Sequence, residues 1–150
     1  MNVVTTAVAV VSALGAGCLG GLFLAFGTAI MPGLARRPAA EAAATMQAVN
    51  RAIVNPVFLL VFLGTAVAAL VATILGILAG RPLVAIGAGL TLLGAHVVTA
   101  ARNIPLNNAL DRATPGAAAW EGFAGPWRRA HRARTVITLA GAVVGTLGLL

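Results

Sequence analysis

Residues 54–79, VNPVFLLVFLGTAVAALVATILGILA, contain no charged side chain. A helix needs about 20 consecutive apolar residues to cross the hydrocarbon core of a bilayer, which is roughly 30 Å thick. The stretch exceeds that length and therefore predicts a transmembrane helix. The tight stop Gly80-Arg81-Pro82 follows it, so the next uncharged run, residues 83–101, is expected to return antiparallel to the first.

Two further uncharged runs, residues 3–30 and 135–150, lie towards the two ends of the chain. The second is short, but it extends backwards to Trp127, because Pro126 suits the first turn of a helix. The first lacks a basic leader and is longer than the apolar core of a signal peptide, so we expect it to be retained. The prediction is one domain, residues 1–150, with spans at about 3–30, 54–79, 83–101 and 127–150.

The composition excludes a soluble domain. Of the 150 residues, 60% are hydrophobic and 9% charged, and the mean hydropathy is +1.00, whereas soluble domains carry about 25% charged residues. A soluble globule of this size cannot bury so many aliphatic side chains, and the same numbers exclude disorder. We predict an integral membrane protein. Its lysine-free, arginine-rich composition is typical of bacteria with GC-rich genomes, which indicates a bacterial inner membrane.

The charged residues predict an orientation in the membrane. The net charge is +7, and nine of the ten arginines lie in two connections, residues 31–52 and 102–134, whereas Arg81 stands alone in the third. Because arginine-rich loops stay in the cytoplasm, both long loops are expected there and both termini on the opposite side. The arginines are interpreted as topology signals and lipid-headgroup contacts. No nucleic acid is expected as a partner, since no basic binding module is present.

Small residues recur at four-residue spacing on three of the spans. They are Ala9, Ala13, Gly17, Gly21, Ala25 and Ala29 in the first span, Gly64, Ala68, Ala72 and Gly76 in the second, and Gly141 and Gly145 in the fourth. Such spacing lets membrane helices approach closely, although an alanine-rich sequence also produces it by chance. It predicts an all-α fold, a four-helix bundle in the membrane. The same faces can join two copies of the chain into an oligomer.

Polar side chains share one face on each of the last two spans. On the fourth span this face carries Trp127, His131, Arg134, Thr138, Gly141, Gly145 and Gly148. On the third span it carries His96, Thr99 and Asn103. The small residues of the fourth span are suited to packing, so its polar end is expected to point into the bundle. Because polar groups at membrane depth are costly, the two faces predict a buried site near the cytoplasmic end.

Four polar or aromatic segments lie at the predicted cytoplasmic end of the spans. They are Met31-Pro32-Gly33-Leu34, Asn50-Arg51 with Asn55-Pro56, the asparagine-rich residues 103–108, and residues 120–134. Pro105 has no amide hydrogen and is expected to end the third helix and to make Ile104 extended. Asn103, Asn107 and Asn108 can then cap the freed backbone groups, which is the structural alternative to a role in binding.

The ordered set of motifs resembles the anthrone oxygenase-like family of small four-span membrane proteins. The segments that carry the resemblance are Met31-Pro32-Gly33-Leu34, Asn50-Arg51, Asn55-Pro56-Val57-Phe58, Asn103-Ile104-Pro105-Leu106-Asn107 and the series Trp120, Trp127, His131, Arg134-Thr135. They extend over essentially the whole chain. The resemblance implies a membrane-embedded oxygenase. Fungal members oxidise anthrones to anthraquinones without a classical cofactor, whereas most bacterial members have no assigned activity.

Such chemistry needs a base, a group that stabilises a phenolate-like oxygen, and a flat apolar slot. The hypothesis assigns His131 as the base, because imidazole titrates near neutrality, and Arg134 as the stabilising group. Asn103 and Asn107 are expected to orient the carbonyl of a lipophilic substrate that enters from the bilayer. The expected substrate-binding residues are Trp127, Trp120, Asn50, Asn55, Phe58 and His96.

Several alternatives stay open at the level of sequence. Tryptophans at a membrane boundary are commonly interfacial anchors, and Arg134 can simply pair with Glu121 or Asp111. A second hypothesis makes His96 and His131 ligands of a haem or a copper ion. A third describes a non-enzymatic membrane module, such as a transporter subunit or an assembly partner. Acidic residues are absent from the spans, which disfavours ion-coupled transport.

Overall fold

The computed structural model describes residues 2–150, and this part of the chain is helical without any strand. The helices are α1 (Val3–Leu34), α2 (Ala39–Ile53), α3 (Pro56–Leu78), α4 (Pro82–Arg112) and α5 (Ala117–Leu147). Three of them, α1, α3 and α4, are long and apolar enough to cross a membrane. The predictions of an all-α fold and of a membrane protein are thereby confirmed.

The last helix begins earlier than predicted. Trp127 was expected near its start, with Pro126 in the first turn, but α5 begins at Ala117 and Pro126 lies inside it. An internal proline costs one backbone hydrogen bond and crowds the preceding turn. Burial of Trp120, Phe123 and Trp127 in one apolar cluster compensates for this loss and keeps the preceding turns helical.

The expectation that Pro105 ends the third span is wrong. Ile104 is helical, with φ −61° and ψ −49°, and α4 continues to Arg112. The segment Leu92–Asn103 is a π-helix, and the amide of Ile104 bonds to the carbonyl of Thr99, five residues earlier. This shift places Pro105 in the first turn of a new α-helical segment, Ile104–Arg112, where its missing amide is not needed.

The two long connections are also more ordered than the loops that the charge pattern predicted. Helix α2 fills most of the first connection, and only residues 113–116 separate α4 from α5. The side chain of Gln47 on α2 donates hydrogen bonds to the carbonyl oxygens of Leu110 and Ala113 at 2.8 and 2.9 Å. These carbonyl groups lie at the C-terminal end of α4, where they have no partner within the helix. The glutamine therefore connects α2 to this end of α4.

Close approach of glycines joins α4 to α5. A side chain added at Gly87 would collide with the backbone of Gly145, and one added at Gly141 would lie 2.8 Å from the carbonyl oxygen of Gly87. Helix α5 also contacts α1 along its length, and α3 packs between α1 and α4. The predicted close packing through Gly141 and Gly145 is therefore confirmed.

The small-residue stripe of α1 is mostly exposed, so the prediction that it packs against other helices is wrong for most of its length. Of its six members, Ala9 is buried and Ala13 half-buried, whereas Gly17, Gly21, Ala25 and Ala29 are exposed. The buried face of α1 consists instead of Thr5, Ala9, Ser12, Ala16, Leu19, Gly20 and Phe23. The buried face is itself rich in small residues, with Ser12, Ala16 and Gly20 at four-residue spacing. Helix α5 approaches α1 closely there, since a side chain added at Gly20 would collide with Leu139.

The end of the molecule opposite α2 brings several chain segments together. Ala9 of α1 and Val84 of α4 belong to one apolar cluster, and Leu149 packs against it. Arg81 in the turn between α3 and α4 donates a hydrogen bond of 2.8 Å to the carbonyl oxygen of Gly148. The start of α1, the α3–α4 turn and the end of α5 therefore lie at one end, and α2 lies at the other.

Candidate functional site

A cavity of about 230 Å³ lies where the long helices meet α2. Its aromatic wall is formed by Phe23, Phe26, Phe58 and Phe62. Its polar groups include Asn50, Thr99, Asn107, Asp111 and Arg134. An apolar enclosure with a few convergent polar groups is the usual composition of a small-molecule site. The volume lies below the range of roughly 300–1,000 Å³ typical of such pockets, which favours a compact ligand.

The guanidinium of Arg134 is the buried cation of this cavity. Only 8% of the residue is exposed. Nε and Nη2 donate to Nδ1 of His131 at 3.0 and 2.9 Å, and Nη1 donates to the hydroxyl oxygen of Thr99 at 3.0 Å. The guanidinium carbon also lies 4.1 Å from the centre of the Phe23 ring, a cation–π contact. The two polar faces predicted on α4 and α5 therefore meet at Arg134.

No carboxylate neutralises Arg134 within residues 2–150, where the ion pairs are Arg37–Glu41 and Arg51–Asp111. The alternative in which Arg134 pairs with Glu121 or Asp111 is wrong. A guanidinium has five N–H groups, and the bonds to His131 and Thr99 leave one on Nη1 and one on Nη2 unused. Because a buried charge without a counter-ion is costly, this part of the cavity is suited to an anionic oxygen.

His131 lies behind Arg134 and does not line the cavity. Its Nδ1 accepts from Arg134, so the ring proton lies on Nε2, which donates to the carbonyl oxygen of Phe23 at 2.7 Å. The ring also stacks on Trp127, with centroids 4.3 Å apart and planes 12° apart. Both nitrogens are thus engaged within the protein, and the assignment of His131 as a base stays a prediction.

The asparagines at the end of α4 differ in their surroundings. Asn107 lines the cavity and accepts a hydrogen bond of 2.8 Å from the indole nitrogen of Trp127, which leaves its amide nitrogen for a ligand. Asn103 is fully buried, does not line the cavity, and has no partner for either side-chain atom within the described residues. Asn108 lines the cavity. The predicted capping of backbone groups by Asn103 is not observed at the start of the following segment.

Two of the three predicted residues around the start of α3 contribute to the cavity. Asn50 and Phe58 line it, and the amide nitrogen of Asn50 is buried without a partner in the described chain. Asn55 is exposed and lies outside the lining. Its side-chain oxygen accepts from the amide of Phe58 at 3.0 Å, so it caps α3.

The remaining predicted residues, Trp120, Trp127 and His96, lie outside the cavity. Both tryptophans are buried in the apolar cluster beneath α2, rather than facing lipid as interfacial anchors do. His96 hydrogen-bonds through Nε2 to the carbonyl oxygen of Phe62 at 2.8 Å, and its ring packs on Phe62. His96 and His131 thus bond to different helices, and this geometry does not support a shared haem or copper ion.

Several lining residues were not among the predicted site residues. Thr99 shared a face with His96 and Asn103, and this spacing was the signal that could have identified it. Phe23 and Phe62 come from uniformly apolar helices, where nothing in the local sequence distinguishes them from lipid-facing residues. Asp111, paired with Arg51, completes the polar part of the cavity.

The fold and site define a membrane-type helical protein with an aromatic cavity and an uncompensated buried arginine. The chain belongs to the anthrone oxygenase family, whose family model matches residues 45–144. The matched region contains Thr99, Asn107 and Arg134, whereas Phe23 precedes it. The resemblance expected from the motifs is thus confirmed. Comparison with curated proteins and with solved structures found no match.

Proposed function

We propose that the protein is a membrane oxygenase that oxidises the activated methylene group of a lipophilic, anthrone-type aromatic substrate. The observation that carries the proposal is that Arg134 lines an aromatic cavity and is buried without forming an ion pair within the described residues. Membership of the anthrone oxygenase family supports the same reaction class. The stacked pair Phe58 and Phe62, with centroids 5.4 Å apart, offers a flat wall to a fused-ring substrate.

The proposed reaction needs dioxygen as its only oxidant. Loss of a methylene proton leaves a carbanion whose charge is delocalised onto the substrate oxygen. The carbanion transfers its electrons to dioxygen, a C–O bond forms, and protonation gives a hydroperoxide. Loss of water then leaves a carbonyl group. One oxygen atom of dioxygen ends in the quinone and the other in water, so no external reductant is required.

The cavity residues divide these tasks. The unused N–H groups of Arg134 stabilise the anionic substrate oxygen, which makes the methylene proton more acidic. Asn107 and Asn50 orient the substrate through their amides. His131 holds the guanidinium in place, because its Nδ1 accepts from two of the guanidinium nitrogens. Asp111 is the carboxylate that lines the cavity, and we propose that it accepts the proton.

The decisive experiment measures anthrone oxidation by the protein in lipid nanodiscs. We expect Arg134→Gln to lower the rate by about 10²–10³-fold, the usual effect of losing an oxyanion donor. Arg129→Gln is the matched control, since Arg129 is exposed on the same helix. With ¹⁸O-labelled dioxygen, one labelled atom should enter the quinone. A wild-type rate no faster than oxidation in empty nanodiscs, or full activity of Arg134→Gln, would overturn the proposal.

We further propose that α1, α3, α4 and α5 form a four-helix bundle across a bacterial inner membrane. The exposed side chains Val136, Val143 and Leu147 give α5 an apolar outer surface for lipid, like those of the other three helices. The uneven distribution of arginines supports a cytoplasmic position for α2 and the cavity, with both termini on the other side. The substrate then enters the cavity from the bilayer.

A further inference from the structure

A groove of about 410 Å³ lies on the outer surface between α1 and α5. At one end its lining is apolar and includes Leu24 and Val136, which are 48% and 67% exposed. At the other end it contains Arg128 and Arg132. Along α5 the distance from Arg128 to Val136 corresponds to about 12 Å. One continuous groove therefore joins a cationic end to an apolar end.

Arg128 and Arg132 line the same part of the groove. They are four residues apart, so their side chains lie on one face of α5, one turn apart. Both are exposed. Neither takes part in the ion pairs found among residues 2–150. Arg129 has the same charge on the same helix, but it lies outside the groove lining.

We propose that this groove binds one anionic phospholipid. The phosphate lies between the guanidinium groups of Arg128 and Arg132, where paired N–H donors match its oxygens. An acyl chain follows the apolar surface of Leu24 and Val136 towards the middle of the bilayer. The net negative headgroup is the occupant that the charge of the groove favours, because a zwitterionic lipid offsets its phosphate with an ammonium group.

The groove is separate from the oxygenase cavity. Phe23 contributes to both linings and stands between them, whereas Arg134 lines only the cavity and Arg132 only the groove. The proposed lipid binding therefore does not depend on the proposed reaction. An experiment can refute either proposal and leave the other intact.

The test is a titration of the detergent-purified full chain with phosphatidylglycerol and with phosphatidylcholine of the same acyl chains. Native mass spectrometry counts the bound lipids. We expect preferential binding of one phosphatidylglycerol. Arg128→Gln and Arg132→Gln should each weaken it about fivefold, and the double variant about thirtyfold. The control Arg129→Gln should change it by less than about twofold, because its charge acts only through the general surface potential.

Three results would overturn the proposal. Equal weakening by all three single variants would show a diffuse attraction rather than a site. Equal binding of phosphatidylcholine would remove the argument from charge. Equally tight binding of glycerol 3-phosphate, which has no acyl chain, would show that the apolar part is not used. All positions changed are exposed, and an unchanged thermal unfolding temperature in neutral detergent verifies that the variants remain folded.

Discussion

At the scale of single residues, the site depends on how Arg134 is held. Its guanidinium contacts His131 one turn earlier on the same helix, Thr99 on α4, and the ring of Phe23 on α1. Burial and three separate contacts fix its orientation, because a change of rotamer would leave buried N–H groups without acceptors. The two unused N–H groups are therefore held in fixed directions, and in the proposed reaction this preorganises them for the substrate anion.

A substitution at His131 distinguishes a positioning residue from a base. The side-chain oxygen of Asn can replace Nδ1 as the acceptor for Arg134, but it cannot take up a proton at neutral pH. We expect His131→Asn to keep anthrone oxidation within about tenfold of wild type, and His131→Ala to lose about 10²-fold or more. The measurement is kcat and KM in nanodiscs.

Equal losses in His131→Asn and His131→Ala would instead support the assignment of His131 as the base. Asp111→Asn provides the complementary measurement. If Asp111 accepts the proton, this variant should lower kcat while leaving KM little changed, since the amide retains the size of the carboxylate. Full activity of Asp111→Asn would show that Asp111 does not accept the proton.

At the scale of helices, two π-helical segments shape the cavity. One, Phe26–Ile30, interrupts α1, and the other, Leu92–Asn103, interrupts α4. Such segments are frequently found at functional sites. Their wider turn changes the direction of the side chains that follow. Here Phe26, Thr99 and Ile104, which lie within or beside the two segments, all line the cavity.

Neighbouring glycines on α4 allow the tight packing between α4 and α5 to be tested. Gly87→Ala would push a methyl group into the backbone of Gly145 and should destabilise the protein by about 1–3 kcal/mol. Gly89→Ala is the matched control, since no atom of the described chain lies within 4 Å of the added carbon. That control should be neutral or stabilising by up to about 1 kcal/mol, because alanine favours a helix.

Thermal unfolding in detergent measures both glycine variants under the same conditions. If α4 and α5 pack closely at Gly87, Gly87→Ala should unfold at a lower temperature than Gly89→Ala. If the two variants unfold together, α4 and α5 do not approach as closely as the structure describes.

At the scale of the whole molecule, the charges and the helix packing distinguish two ends. Helix α2, the cavity and nine of the ten arginines lie towards one end, and Arg81 bonds to Gly148 at the other. An opposite orientation would place most of the arginines on the translocated side of the membrane, which is unfavourable during insertion. The bilayer orientation is therefore expected to place the cavity at the cytoplasmic surface.

Cysteine labelling tests this orientation in intact bacterial cells. The natural Cys18 is exposed within α1 and is first replaced by serine. In this background, Leu150→Cys should react with a membrane-impermeant maleimide in cells whose outer membrane has been permeabilised. Thr114→Cys, in the short α4–α5 connection, should react only after lysis. The reverse pattern would show that the charge-based orientation is wrong.

Part of the site was accessible from periodicity, because helical spacing determines which residues share a face. The predicted burial of Trp127, His131 and Arg134 is confirmed for this reason, and Arg134 is the member of this stripe that lines the cavity. Asn55, which was predicted from its place in a polar segment, shows one limit of the sequence, since a polar residue beside a proline caps a helix as readily as it binds a ligand. Pro105 shows another limit, because a π-helical register removes the conflict that makes proline a helix breaker.

By itself, the sequence determined the membrane character, the helical class, the family motifs and the inward face of α5, since each depends on composition or on spacing along one helix. Only the tertiary structure decided that Arg134 has no carboxylate partner among residues 2–150 and that His131 lies behind it. It also decided that Phe23 completes the cavity, and that the stripe of α1 containing Gly17 and Gly21 faces outward. These features depend on which helices pack together and on how each helix is rotated about its axis. The packing depends on the fit between side chains from distant parts of the chain, and this fit leaves no periodic signal in the sequence of any one helix.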